Sequence, residues 1–478
     1  MPTEHLSRKI SRRQMLAAMG VASAGLVAAA CSAPSPAPSG AATPAPAAKK
    51  GQVIKELGPY LANTDVKGEI LFPNAWGGAR IPLMEAQIAD FNKFYPNVKI
   101  VNDPVRSPDL EKKLLPALAG GSPPATIMLY SNMMPAYVEQ NALQPLDDLI
   151  ARDELKVDDV FYPGEISTHR YQGKTYSLPQ VTAGAWHFVC WHQDLLKQAG
   201  FDPTVGPKTW SDLDKMADAV KAKVPGVYFF EHTHASSHPM FLVLLYGNNG
   251  LFMSEDAKKV AFNSAEGLET LEWMLQFGKR QTKSGKFEEM ADRTSSVKDT
   301  LTGPVMVSGK YAAYTAGSFS WYTIRTSAPD KKFGYSLFPY NDKNPKAKHR
   351  TPVHGGWGFC IPRGIEGDLR NASWEWIKYT CPGEGNHKFV VAQERPSPVR
   401  KYNEDPVLGA NNPHWPIILK DFEINERMPV TGVHPQILDF IYEMQEDVMF
   451  EKAKPQEALK KAAEQSQKVL DEWWAKQK

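Results

Sequence analysis

Three histidines stand close together in the middle of the chain: His232, His234 and His238, within the sequence EHTHASSH. Two histidines two residues apart with a third nearby can bind zinc, and a zinc-bound water would support hydrolysis. The aspartate of His-x-His-x-Asp-His metallohydrolase motifs is missing, and Ser236 and Ser237 stand there instead. We therefore expect neither a metal nor a cofactor, and an exported metal-dependent hydrolase is the least favoured interpretation.

The sequence contains no other motif typical of catalysis. A Gly-x-Ser-x-Gly elbow, a Walker loop and a Gly-x-Gly-x-x-Gly turn after a strand are absent. The net charge is +2 for the whole chain and becomes −1 for residues 31–478 once the charged residues of the first thirty are removed: Glu4, Arg8, Lys9, Arg12 and Arg13. This near-neutral balance offers no attraction for nucleic acid. We predict a protein that is not an enzyme and does not bind nucleic acid.

Aromatic and polar side chains follow two of the predicted strands. The runs EILFPNAW, VKIVNDP and ATIMLYS are strand-like, and helix-like runs separate them, which indicates a βαβαβ unit in an α/β fold. Ligands of such folds bind outside the carboxyl ends of the strands. Trp76 and Arg80 follow the first strand, and Tyr130, Ser131 and Asn132 end or follow the third. These five residues are candidate ligand contacts.

The first residues have the composition of an export signal. Residues 1–30 combine a cationic lead, an apolar run and a small-residue cleavage zone. The lead around Arg12 and Arg13 resembles a twin-arginine signal, and the Ala-Ala-Ala-Cys sequence resembles a bacterial lipobox in which Cys31 receives lipid. Ordinary cleavage that leaves an unmodified Cys31 is the alternative. The Pro/Ala-rich residues 31–65 are expected to form a tether. The protein is expected at the outer face of the cytoplasmic membrane or in the periplasm.

Six pieces of the sequence occur in an order that is similar to a known family. They read YQGKTYSLP, CWHQDLLKQAGFD, TWSDL, VSGKYAAYTAGSFSW, GGWGFCIP and ERPSPVRKY. The chain from Gly68 to Trp474 thereby resembles the family-one extracellular solute-binding proteins, which include maltose- and glycerol-phosphate-binding proteins. The resemblance implies a two-lobe α/β fold of the type II periplasmic class, each lobe a mainly parallel sheet flanked by helices, with a hinged cleft between them. The implied ranges are 66–180 plus 362–408 for the N-lobe, and 183–355 plus 410–478 for the C-lobe.

The resemblance also implies a function and its partners. The chain would be the solute-binding component of an ABC import system and would deliver a sugar or oligosaccharide to a permease. ATP would be used by the ATPase subunits, and the receptor itself would be a monomer that changes no covalent bond. A glycerol-phosphate-like solute is the second candidate within the same class.

Aromatic planes are expected to pack against the faces of a sugar ring. Trp76 is a candidate for such stacking because it lies in a turn beside two glycines. Phe319 and Trp321 match the Gly-x-Trp platform of the family. Gly356 would let the backbone approach the solute, and Trp357 would be a second platform.

Polar side chains are expected to bind the solute hydroxyls. The resemblance places Glu231 and His232 in a turn that faces the cleft. Gln180 would bond either the solute or the hinge backbone, and Arg80 either the solute or a surface carboxylate. Arg395 would reach hydroxyls or a phosphate through its bidentate fork, or would form an inter-lobe salt bridge.

Cys190, Cys360 and Cys381 are the cysteines that follow Cys31. Cys190 and Cys360 lie in strand-like apolar runs, which favours a role as small buried hydrophobic residues. Whether Cys360 pairs with Cys381 is left open by the sequence.

Overall fold

The computed structural model of the protein describes residues 51–105, 107–182, 184, 187–230, 239–290, 307–353 and 355–477. The predictions made for the export signal, for Cys31 and for the first part of the tether lie outside these residues. So do those made for Glu231, His232 and the other two histidines of the first motif.

The described residues form fifteen strands and sixteen α-helices. The strands are β1 Gln52–Val53, β2 Leu61–Ala62, β3 Gly68–Asn74, β4 Val98–Pro104, β5 Ile127–Tyr130, β6 Arg170–Tyr171, β7 Lys174–Thr175, β8 Ser177–Pro179, β9 Phe188–His192, β10 Tyr228–Phe230, β11 Tyr311–Ala316, β12 Phe333–Leu337, β13 Thr351–Val353, β14 Trp357–Cys360 and β15 Asn425–Arg427. The helices are α1 Ile81–Asn92, α2 Ser107–Ala119, α3 Met134–Glu139, α4 Asp147–Arg152, α5 Val157–Val160, α6 Pro163–Ser167, α7 Gln193–Ala199, α8 Trp210–Lys223, α9 Met240–Gly247, α10 Ala265–Gln281, α11 Ser320–Ser327, α12 Gly367–Thr380, α13 Glu384–Ala392, α14 Trp415–Ile424, α15 His434–Met449 and α16 Pro455–Lys476.

Buried side chains fall into two hydrophobic cores. The first core takes residues between 57 and 181 and between 357 and 402, and the second takes residues between 188 and 338 and between 418 and 473, with Phe319 alone joining the first core from the middle of the second range. We call the parts of the chain around these cores the N-lobe and the C-lobe. The chain passes between the cores three times within the described residues, so the two lobes are joined by several connections.

The N-lobe begins earlier than the sequence predicted. Residues 51–65, assigned above to the tether, contain the β1–β2 pair, and Leu57 and Tyr60 are buried in the first core. The Leu61 carbonyl accepts a hydrogen bond from the buried Lys378 ammonium at 2.6 Å. This segment is therefore part of the folded body, because its apolar side chains can be buried against α12.

Both lobes contain antiparallel as well as parallel strand pairs, whereas the resemblance implied mainly parallel sheets. In the N-lobe β3 pairs with β4 in parallel, as the βαβ pattern predicted, but β14 pairs with both β5 and β8 in antiparallel. In the C-lobe β10 and β11 are parallel, while β9 lies antiparallel between β11 and β12. β14 enters the N-lobe after the chain has returned from the C-lobe, so no helical crossover fixes its direction as parallel.

Local sequence signals set several helix ends. α8 starts with a capping box in which the Thr209 hydroxyl accepts from the Asp212 N–H at 3.1 Å, and the Asp212 carboxylate accepts from the Thr209 N–H at the same distance. α7 ends at Gly200, whose φ of 95° lies in the left-handed region that favours glycine.

Within the described ranges, no helix combines the length and apolar character needed to cross a membrane.

The cysteines are buried thiols. Cys190 lies in β9 and Cys360 in β14, which confirms their predicted place in buried strands. Cys381 directly follows α12 and is likewise unpaired, so Cys360 and Cys381 do not form a disulfide in this structure.

Candidate functional site

The predicted N-lobe contacts meet at the ends of three neighbouring strands. In the sheet register Trp357 of β14 is paired with Tyr130 of β5, and their rings meet edge to face at 5.1 Å. Gln180 follows β8 directly, and its N–H donates to the Trp357 carbonyl at 2.9 Å. The antiparallel β5–β14–β8 sheet thus brings together residues from three distant parts of the sequence.

Ser131 and Gly356 hold the turn beside this sheet. The Ser131 N–H donates to the Gly356 carbonyl at 3.0 Å, and the Gly356 N–H donates to the Ser131 hydroxyl at 3.1 Å. Gly355 has a φ of 150°, and a Cβ at this position would overlap the Ser131 hydroxyl. These glycines therefore let their own backbone approach the turn at Ser131 closely. Asn132, in the same turn, is also buried. Direct solute contacts from Ser131, Asn132 and Gly356 stay predictions.

Gln180 is completely buried, yet neither polar atom of its side-chain amide has a hydrogen-bond partner among the described residues. The sequence offered a hydrogen bond from this amide to the hinge backbone as the alternative to solute binding. Within the described part of the chain the amide makes no such bond; only the backbone N–H of Gln180 is used, in the bond to the Trp357 carbonyl. A buried amide without a partner costs about 1–3 kcal/mol. Such a group is suited to bind a ligand that supplies both a donor and an acceptor.

A second group of site residues comes together around Phe319, which stands at the start of α11. The guanidinium carbon of Arg80 lies 5.5 Å from the centre of the Phe319 ring and 5.6 Å from the Trp76 ring. The guanidinium carbon of Arg395 also lies 5.5 Å from the Phe319 ring centre. We call Trp76, Arg80, Phe319 and Arg395 the arginine–aromatic cluster. Three members belong to the N-lobe, and Phe319 comes from the C-lobe part of the chain but packs in the N-lobe core. Cation–π attraction favours this arrangement.

Trp76 is more enclosed than a turn position suggested. Only 4% of its surface is exposed, and its ring packs against Phe389 of α13 at 5.4 Å. Its indole N–H has no hydrogen-bond partner among the residues that the structure describes. The side chain therefore combines a core contact on the N-lobe with an unused donor.

The two arginines lack the carboxylate partners that the sequence offered as alternatives. Arg80 donates from Nε to the Gln393 amide oxygen at 3.0 Å, not to a surface carboxylate. Arg395 is 1% exposed, and its Nε and Nη2 have no partner within the described part of the chain. The inter-lobe ion pair expected at this point is instead made by the neighbouring Glu394, which binds Arg325 of α11 at 2.5 Å.

Electrostatics in the cluster follow from this burial. Burial and, next, the positive charge of Arg80 lower the pKa of Arg395 to about 9, against the opposing effects of Glu165 and Tyr130. Burial lowers the pKa of Arg80 to about 10, with Tyr322 acting in the opposite direction. The pKa of Arg395 is thus lowered mainly by burial and by the neighbouring charge of Arg80.

Trp321 lies beside the cluster, not in it. Its indole N–H donates to the Asn411 carbonyl at 3.2 Å, and its ring meets His414 edge to face at 4.9 Å. His414 also stacks on Tyr335 at 4.5 Å. Phe319, two residues earlier, is the side chain of this motif that contacts the arginines, and the platform role of Trp321 stays a prediction.

Sequence reasoning missed Gln393, Glu394 and Arg325. Each acts through a partner far along the chain, as Arg80 and Gln393 are 313 positions apart, so no local pattern marks them. The one available signal was position, because Gln393 and Glu394 directly precede the candidate Arg395 in the run QERPSPVR. Among the described residues, no group of three His, Cys, Asp or Glu side chains could hold a metal ion.

Comparisons with known proteins agree with this geometry. Residues 86–417 match the family model described as "Bacterial extracellular solute-binding protein". The chain is 24% identical over 440 residues to the sn-glycerol-3-phosphate-binding periplasmic protein UgpB of Escherichia coli O1:K1, which covers 86% of this chain and 97% of the relative.

Two solved structures share the fold. The GacH receptor of Streptomyces glaucescens, studied unliganded and with acarbose, has a TM-score of 0.72 at 20% identity and covers 86% of this chain and 100% of its own. Maltose-bound MalE3 of T. maritima has a TM-score of 0.70 at 17% identity and covers 84% and 99%. The two-lobe fold and the resemblance read from the sequence are thereby confirmed, and the chain belongs to the bacterial extracellular solute-binding proteins.

Proposed function

We propose that this protein is the solute-binding component of an ABC importer, and that it captures a carbohydrate between its lobes and delivers it to the permease. The receptor works as a monomer and changes no bond in the solute, while ATPase subunits supply the energy. The lobes close around the solute by hinge rotation, and the permease recognises the closed form.

The observation that carries this proposal is the unsatisfied amide of Gln180 beside the rings of Tyr130 and Trp357. A sugar offers apolar C–H faces that pack on aromatic rings and hydroxyls that both donate and accept. The side-chain amide of Gln180 needs one acceptor and one donor, and a pair of sugar hydroxyls supplies both. The site therefore matches a polyhydroxylated ring better than an apolar ligand.

The solutes of similar proteins support the same class. Acarbose is bound by GacH and maltose by MalE3, and both are carbohydrates. UgpB is named for sn-glycerol 3-phosphate, which makes a phosphorylated polyol the second candidate. Arg80 and Arg395 are the side chains that would favour it.

Native mass spectrometry of freshly purified protein, followed by calorimetric titration, tests the proposal. We expect a retained or titrated carbohydrate at one solute per chain, with unchanged solute after long incubation. Turnover of the sugar would show an enzyme, and sn-glycerol 3-phosphate as the tighter ligand would favour the second candidate. Lack of binding to either class would refute the proposed function.

We further propose that lipid on Cys31 holds the receptor at the membrane. Several acyl chains on one cysteine hold a protein firmly, whereas one chain holds it weakly. Cys31→Ser is expected to move the protein from the membrane fraction to the soluble fraction without changing solute affinity. Immunoblots of the two fractions measure this, with Cys190→Ser as the control, because Cys190 lies buried in β9. Retention of the Cys31→Ser protein in the membrane fraction would contradict the anchor.

A further inference from the structure

The arginine–aromatic cluster holds two positive charges against one ring. The guanidinium carbons of Arg80 and Arg395 each lie 5.5 Å from the Phe319 ring centre. Neither arginine forms an ion pair with any carboxylate of the described residues; the nearest polar partner of Arg80 is the neutral Gln393 amide. Buried cations are normally paired, because an isolated buried charge is costly.

Other enclosed arginines of this protein do have such partners. Arg152 binds Asp153 at 2.7 Å, Arg370 binds Asp148 at 2.7 Å, and Arg350 binds Glu426. Arg395 is less exposed than Arg350, yet two of its nitrogen atoms have no partner in the described part of the chain. Within the described ranges the cluster thus lacks the direct ion pair that these other arginines form, and Glu165 acts on Arg395 through its charge without forming such a pair.

The unused polar atoms of the cluster are donors. Arg395 offers Nε and Nη2, and Trp76 offers its indole N–H. These groups donate only and cannot accept a hydrogen bond. Neutral hydroxyls could fill such positions, but an oxyanion fills them with stronger, charge-assisted bonds and also offsets the repulsion between the two guanidinium groups.

We infer that the solute is an acidic carbohydrate, a sugar ring that carries a carboxylate or a phosphate, and that Arg80 and Arg395 bind its anionic group. This inference rests on the proposed function and narrows its substrate class. The fork of Arg395 makes paired bonds to the oxyanion. The ring of the same solute packs in the Tyr130–Trp357 corner and bonds to the Gln180 amide.

Calorimetric titration of the full mature chain with matched probes tests the inference. The pairs are galacturonate against galactose and glucose 6-phosphate against glucose, with inorganic phosphate and sn-glycerol 3-phosphate as anions without a ring. We expect at least one acidic sugar to bind about 10- to 100-fold more tightly than its neutral partner, as a charge-assisted contact implies. The two pairs distinguish a carboxylate from a phosphate.

Variants add a readout that a purely structural arginine would not give. Arg395→Gln is expected to remove the preference for the acidic sugar and, by removing an unpaired buried charge, to raise the melting temperature of the solute-free protein. Arg80→Gln, at a less buried position, is expected to reduce the same preference and serves if Arg395→Gln fails to fold. Lys99→Gln is the control, because it removes one exposed surface charge outside the cluster.

The outcomes separate this inference from the proposed function. Equal or tighter binding of the neutral sugars, or an unchanged preference in both arginine variants, overturns the inference and leaves a neutral-sugar receptor. Tighter binding of inorganic phosphate or sn-glycerol 3-phosphate overturns the requirement for a ring. Absence of binding to every probe, with no solute retained on purification, overturns both proposals.

Discussion

Gln180 is the residue at which the chemistry of the site is easiest to isolate. Its side-chain amide is buried without a partner in the described structure, while its backbone N–H is used in the sheet connection to Trp357. The side chain therefore adds nothing to the hydrogen bonds of the folded protein. Any hydrogen bond that this amide makes must be with a molecule that enters the site.

Gln180→Leu should weaken solute binding without destabilising the protein. A ligand that bonds to the amide would lose about 1–3 kcal/mol of binding free energy, while the folded chain would lose no hydrogen bond. Calorimetry and thermal melting measure the two effects. Gln87→Leu is the matched control, since the buried Gln87 amide donates to the Gly385 carbonyl at 2.8 Å. That control should lower stability and leave affinity unchanged; the reverse pattern would remove Gln180 from the site.

At the residue scale, the sequence predicted where site residues lie in the fold better than it predicted which side chains they contact. Positions at or after strand ends identified Trp76, Arg80 and Tyr130. The structure brings the first two together and packs Tyr130 against Trp357. The pairing of Arg80 with Gln393 could not be predicted, because it depends on how two distant segments pack. Burial decides whether a polar atom is satisfied, and burial is a property of the whole fold.

Helix α12 carries a buried charge network in the N-lobe. Lys378 is fully buried and binds Asp153 at 2.5 Å and Glu375 at 2.9 Å. Asp153 also accepts bonds from Arg152 at 2.7 Å and from the Trp374 indole at 2.8 Å. Each charge in this network is paired, in contrast with the arginines of the cluster.

Asp153→Asn should be strongly destabilising, because it leaves Lys378 with one buried partner fewer. Breaking a buried pair typically costs about 3–5 kcal/mol, whereas an exposed pair contributes about 1 kcal/mol or less. Asp158→Asn is the matched control, because Asp158 binds Arg170 at an exposed position. Urea unfolding of the two variants gives the comparison. Similar losses in both would show that the Lys378 network adds no special stability.

The same network has a defined pH dependence. Burial alone would raise the pKa of Asp153, but bonds from Arg152 and Lys378 hold it below the ordinary value. A carboxyl with a lowered pKa in the folded state stabilises the protein above its unfolded pKa, near 3.9, and loses that contribution as the pH falls through the folded value. Burial raises the pKa of Glu375, so this side chain acts in the opposite sense.

At the element scale the sequence predicted helices and strands from local signals. The βαβ pattern of β3 and β4 was predicted from the sequence and is present. The antiparallel direction of β14 was not predicted, because strand direction depends on the route of the chain between lobes. The folded state of residues 51–65 was missed for a related reason, since the α12 surface that buries them lies some 300 positions away.

At the scale of the whole molecule, polar contacts between the lobes affect how the lobes are arranged. Arg325 of the C-lobe binds Glu394 of the N-lobe at 2.5 Å, and the Trp473 indole donates to Glu139 at 2.7 and 2.9 Å. Because these contacts exist only while the lobes are in this arrangement, they favour it over a more open one. Such contacts add to the affinity that any solute shows.

Arg325→Gln should therefore weaken solute binding although Arg325 is outside the cluster. Loss of about 1 kcal/mol from the closed arrangement would reduce affinity about fivefold, chiefly through faster solute release. Surface plasmon resonance measures the rates, and X-ray scattering measures the distribution between open and closed forms. Arg280→Gln, which removes an ion pair to Asp218 within the C-lobe, is the control. An unchanged release rate would show that the Arg325–Glu394 pair does not stabilise the closed form.

The three buried thiols bear on where the protein can fold. Burial raises the pKa of Cys360 to about 12 and the pKa values of Cys190 and Cys381 also lie above their usual range, so reactive thiolates are scarce. None of these cysteines needs an oxidant to reach its native state. Folding of the described residues therefore requires no oxidising compartment, which is compatible with the twin-arginine signal that the sequence predicts.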